Sequence, residues 1–94
     1  RPDSLKQIPS SKQMERKNGV FLFHGMPYSG RFIDYYYSGR KQGNGVFLNG
    51  KVNGHRTMYY QNGKVSVERE YKDGIENGFE IEYYEDGSLQ QKGE

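Results

Sequence analysis

Apolar and polar positions alternate along this chain with a period of two. Phe79, Ile81 and Tyr83 fall on one side of a predicted strand and Glu80, Glu82 and Tyr84 on the other. Val65, Val67 and Tyr71 alternate in the same way with Ser66, Glu68 and Glu70. No segment holds a 3.6-residue period of useful length, so the elements predicted are strands and not helices. First strands are expected over 31–37, 55–60 and 79–84, each closed by a glycine turn at 38–39, 62–63 or 86–87. Second strands follow over 40–48, 64–72 and 88–93, with further turns at Asn49-Gly50 and Asp73-Gly74. The fold class is all-β: antiparallel hairpins in a single twisted, elongated meander sheet of seven or eight strands.

The pattern recurs every 24 residues. The opening glycines (Gly30, Gly54, Gly78), the tyrosine pairs (Tyr35/Tyr36, Tyr59/Tyr60, Tyr83/Tyr84) and the closing glycines (Gly39, Gly63, Gly87) all keep that interval. A fixed period of this length marks a repeat architecture in which each unit leans on its neighbours. Repeats thus start near residues 30, 54 and 78 within one domain, 12–94. An irregular first hairpin, 12–29, precedes them. Its turn is Asn18-Gly19, which tolerates the two positive φ angles of a type I′ turn, and its flanks are 13–16 and 20–23. Met26-Pro27-Tyr28-Ser29 reads as an irregular connection, and Gly43 and Gly45 predict a bulge or kink in the second strand of the first full unit. Residues 1–11, with two prolines and no periodicity, read as an extended N-terminal arm that Leu5 and Ile8 could pin to a sheet face.

Composition changes the picture of the core. Apolar residues make up 32% of the chain, with Tyr 9 and Phe 5 among them and neither Trp nor Cys present. Large half-polar rings, and not packed aliphatics, must therefore cover the sheet. Cysteine's absence excludes a disulfide framework and thiol chemistry. No run of 18 apolar residues exists to span a membrane as a helix. The net charge of +2 conceals an asymmetry: residues 1–64 hold 11 Lys/Arg against 3 Asp/Glu, and residues 65–94 hold 3 against 9.

The motif Tyr59-Tyr60-Gln61-Asn62-Gly63-Lys64-Val65, followed by Tyr71-Lys72-Asp73-Gly74, resembles the MORN-variant repeat. Tyr83-Tyr84-Glu85-Asp86-Gly87-Ser88-Leu89 is an equally good copy. The whole of 14–94 is similar to the bacterial YwqK-family antitoxins. That resemblance implies a bacterial β-hairpin array acting by binding, with a partner toxin. It implies residence in the cytoplasm, or in the cell envelope if an N-terminal signal has been removed.

Catalytic chemistry finds no converging set of groups here. His24 and His55 read as strand and turn side chains, no serine sits in a nucleophile elbow, and the glycines form turns and not a phosphate-cradling loop. No enzyme activity, cofactor or metal is expected. The carboxylates Glu68, Glu70, Glu80 and Glu82 could bind calcium if they faced one way, but read as a solvated acidic face.

The tyrosine ladder is the functional candidate. Paired tyrosines point to opposite faces, so Tyr35, Tyr59 and Tyr83 would line one face and Tyr36, Tyr60 and Tyr84 the other. Amphipathic rings in a row suit a non-catalytic, protein-binding surface. The alternative is anionic phospholipid or cell-surface glycan bound by the same face, helped by a basic end at Arg31, Arg40, Lys41 and Arg56. Nucleic acid is a poorer fit at so small a net charge. The opposed charges of the two ends also predict weak head-to-tail self-association.

Overall fold

The computed structural model describes residues 8–93. A 3-10 turn, Ser11–Gln13, precedes ten strands. They are β1 (Glu15–Lys17), β2 (Val20–Phe23), β3 (Met26–Pro27), β4 (Gly30–Tyr35), β5 (Lys41–Leu48), β6 (Lys51–Val52), β7 (Gly54–Tyr59), β8 (Val65–Lys72), β9 (Ile75–Tyr83) and β10 (Leu89–Gly93). Every pairing is antiparallel. The main sheet runs β10-β9-β8-β7-β5-β4 with β6 beside β5, and the first hairpin forms a separate sheet, β1-β2-β3. The meander is thus two hydrogen-bonded sheets. They are joined where Phe21 N–H donates to Gly50 O (2.8 Å) and Gly50 N–H to Tyr28 O (2.8 Å).

Two kinds of turn build the array. Asn18-Gly19, His24-Gly25, Asn49-Gly50 and Asp73-Gly74 close two-residue hairpins, with φ of 52 to 55° at the first position and 78 to 82° at the second. Both positive angles belong to the type I′ turn, whose twist matches that of the strands. His24 stands where Asn or Asp does elsewhere, so the turn that makes β3 a strand went unread in the sequence. The wider loops lie at 37–39, 61–63 and 85–87. Each is closed by a backbone bond across its base, such as Tyr36 N–H to Arg40 O at 2.8 Å.

Three residues past each wide loop the register slips. Asp34 pairs with Gly43 but Tyr35 with Lys41, leaving Gln42 extra; Ser66 and Gln90 are extra in the same way. These bulges keep the 24-residue interval and owe nothing to Gly43 or Gly45, through which β5 runs unbroken. The glycines serve packing instead. The Phe32 ring lies on Gly45, where an added Cβ would meet it at 2.8 Å, and a Cβ on Gly43 would stand 3.1 Å from Thr57 O.

The core is small, aromatic and close to the first hairpin. Phe32, Phe47 and Val52 are buried, with Met14, Phe21, Tyr28 and Tyr71 packed against them. Phe47 sits between Phe32 (ring centroids 4.6 Å) and Phe21 (4.9 Å). Beside it the chain before β1 covers the β4 edge. Pro9 O accepts Ile33 N–H at 3.0 Å, and buried Asp34 accepts from Ser10 Oγ, Ser11 N–H and Ser11 Oγ at 2.6 to 2.7 Å. The expected role of Leu5 lies outside the described residues. Ile8 is exposed, and it is backbone and serine side chains that pin the segment.

The two faces of the main sheet differ from the alternation expected of adjacent strands. Register places Val67 opposite Glu82 and Arg69 opposite Glu80, while Glu68 faces Ile81. Apolar positions of β8 therefore share a face with the carboxylates of β9, and the reverse holds on the other side. Neither face of the C-terminal half is apolar, and no residue there whose side chain is described is buried.

Candidate functional site

The face turned away from the first hairpin carries Tyr35, Tyr59 and Tyr83, one ring from each 24-residue interval. Cross-strand pairing sets Arg31 beside Val46, Tyr35 beside Lys41, and Tyr83 beside Leu89. Tyr35, Val46 and Leu48 are 47%, 41% and 50% exposed. Polar contacts fix the other two rings. Asn44 Nδ2 donates to Tyr59 Oη (3.1 Å), and Tyr83 Oη donates to Glu68 Oε2 (3.0 Å). The bond to that carboxylate raises the Tyr83 phenol above its ordinary value.

Tyr36, Tyr60 and Tyr84 do not form a second binding face. Each follows the last residue of its strand, and Tyr36 and Tyr60 reach sideways along the sheet. Tyr36 Oη donates to Tyr59 O at 2.6 Å and Tyr60 Oη to Tyr83 O at 2.5 Å. The loops are tied in parallel, Ser38 Oγ to Gln61 Oε1 (2.9 Å) and Asn62 Nδ2 to Glu85 O (2.8 Å). Tyr36 and Tyr60 staple one hairpin to the next. Tyr84, beside the last described hairpin, is 52% exposed.

The four basic candidates do not gather. Arg31 and Lys41 lie on the Tyr35 face, with the Lys41 ammonium 5.1 Å from the Tyr59 ring centroid. Arg40 is in a loop. Arg56 points to the opposite face, with its guanidinium 5.7 Å from the Phe32 ring and 5.9 Å from the Tyr71 ring, within cation–π range of both.

The acidic residues are likewise split by the register. On the face of Arg56, Arg69 donates to Glu80 Oε2 (2.8 Å) and lies 3.2 Å from Glu76. The bond from Arg69 draws the Glu80 carboxyl below its usual range, and the shared hydrogen bond with Glu80 pushes Glu82 up. On the other face His55 stands between Glu68 (3.0 Å) and Glu70 (3.2 Å). His55 thus touches two carboxylates of the neighbouring strand, which is more than the plain strand side chain expected of it. Among the described residues no three His, Cys, Asp or Glu side chains gather as a metal site, and no helix is long and apolar enough to cross a membrane.

No family model, curated protein or solved structure matches the chain.

Proposed function

We propose that the chain is a non-catalytic, protein-binding β-repeat module, built like the MORN-variant repeats and antitoxin-like in action. The contact surface is the Tyr35–Tyr59–Tyr83 face. One observation carries this reading: no other described element covers that face, and Tyr35, Val46 and Leu48 stand exposed on it beside Arg31. Tyrosine and arginine around an apolar centre are the residues that dominate protein interfaces. A flat anionic membrane surface is served less well, because Arg31 and Lys41 face away from Arg56.

The test is a pull-down from the native host with the wild type and a Tyr35→Ser/Leu48→Ser double variant, alongside sedimentation with phosphatidylserine vesicles. A protein partner bound at least about tenfold more weakly by the double variant, at unchanged thermal midpoint, is the expected result. A partner held equally by both forms, or co-sedimentation with vesicles that the double variant retains, overturns it.

A further inference from the structure

On the opposite face, a cleft of about 200 Å³ opens between the first hairpin and the main sheet. Its floor is the aromatic core, Phe32 and Phe47, and its walls include Phe21 and Tyr71. An engineered apolar cavity of about 150 Å³ admits a benzene ring, so this one has room for a single ring with a substituent. Three cations line it: Arg16 from β1, Lys51 from β6 and Arg56 from β7. No carboxylate is among its walls. The nearest buried acid in the fold, Asp34, has both oxygens occupied by Ser10 and Ser11. None of the three cations forms an ion pair among the described residues, whereas Arg69 on the same face takes two.

Arg56 carries the argument furthest. Its Nε is buried and has no hydrogen-bond partner, although a buried donor left unmade is destabilising. Its register partner across the strands is Arg69, so the pairing itself adds like-charge repulsion. The cation–π contacts to Phe32 and Tyr71 hold the guanidinium in place but leave its Nε donor unmet. A bound anion would complete the site, by neutralising Arg16, Lys51 and Arg56 together and accepting from the guanidinium fork.

We propose that this cleft binds an aryl phosphate: one aromatic ring against the part-exposed Phe21 and Tyr71, above the covered Phe32 and Phe47, and a phosphate held by Arg16, Lys51 and Arg56. The ring matches these apolar walls, and a phosphate monoester brings close to two negative charges at neutral pH against three cations. The planar arginine forks fit phosphate oxygens better than a point charge does.

The experiment is an NMR titration of the ¹⁵N-labelled chain with three probes: phenyl phosphate, inorganic phosphate and benzyl alcohol. Phenyl phosphate is expected to shift the amides of Arg16, Phe21, Lys51 and Arg56 and the Arg56 side-chain Nε–H, saturably. Each of the other probes should bind about tenfold more weakly or worse, since each supplies only half of the contact. Arg16→Gln and Lys51→Gln, both at exposed positions, should each weaken phenyl phosphate about fivefold or more without moving the thermal midpoint. Lys64→Gln, far from the cleft, should leave it unchanged. Absence of saturable shifts, equal binding of all three probes, or full affinity in the Arg16→Gln/Lys51→Gln double variant overturns the proposal.

Discussion

Phe32 and Gly45 work as one unit. A large ring lies on a strand glycine, recovering the contacts that the missing side chain would have made. With only 2.8 Å between the ring and a new Cβ, Gly45→Ala forces Phe32 out of its place against Phe47. We expect a loss of about 1–3 kcal/mol in urea unfolding; a neutral Gly45→Ala would show that the ring can move freely. Asp34 is a second such residue, accepting three hydrogen bonds while almost fully buried. Asp34→Ala should cost about 2–4 kcal/mol by the same measurement, since the Ser10 and Ser11 donors lose a charged acceptor. Glu82 works in the other direction. Its folded carboxyl titrates above the unfolded one, so the native state binds the extra proton in the window between them, and stability falls as pH rises through that window. The penalty is fully present above the folded value and absent below the unfolded one. Glu82→Gln should therefore raise the thermal midpoint at pH 7 and have no such effect below the ordinary glutamate range. An equal gain at both pH values would rule out the carboxylate pair as its source.

Among the elements, the wide loops and their tyrosines set the lateral order. Tyr36 and Tyr60 each satisfy a carbonyl one hairpin further on, whereas Tyr84 has no such bond among the described residues. Tyr36→Phe and Tyr60→Phe should each cost about 0.5–1.5 kcal/mol, and Tyr84→Phe close to nothing, in parallel denaturation curves. Equal costs at all three positions would mean that the hydroxyls act through something other than the staple. The tyrosine doublets and their spacing were plain in the sequence, and so were the strands and the Asn-Gly and Asp-Gly turns that set the meander. The use of the second tyrosine was not. Period two says that neighbours point to opposite faces, but Tyr36, Tyr60 and Tyr84 stand just past the strand ends, where that rule lapses. The mixed faces have another cause. The two-residue turn at Asp73-Gly74 pairs Lys72 with Ile75 and Tyr71 with Glu76, and the later shift of two residues leaves every side chain on its face. Val67 therefore meets Glu82, and the four glutamates of β8 and β9 part into two pairs. The cleft was unreadable for a different reason. Arg16, Lys51 and Arg56 come from three strands of two sheets, and only the fold of the first hairpin over Phe47 brings them together.

For the molecule as a whole, burial and charge run along the same axis. The buried rings, the covered edge and all of the cleft but Tyr71 and Gly74 belong to residues 9–56, while β8 to β10 have both faces partly wet and carry most of the acid. Of the two sheet edges, β4 is occupied at Ile33 by Pro9, so the head-to-tail contact expected from charge would have to displace that segment. Stability must fall along this axis too, because backbone pairing without apolar cover contributes little beyond its own hydrogen bonds. Fully burying a ring such as Phe47 contributes about 1.5–3 kcal/mol, and no described side chain of β10 is buried to match it. Native-state hydrogen exchange should accordingly protect β4 and β5 most, β7 and β8 less, and β10 least, with β10 opening well below the global unfolding free energy. Phe47→Ala should then cost about 3–5 kcal/mol and bring the whole protection pattern down together, because every later hairpin is stapled to the one before it. Leu89→Ala, on the exposed last strand, should change only the exchange of β9 and β10. Uniform protection across all the strands would show instead that the tyrosine staples, and not the aromatic core, hold the array together as one cooperative unit.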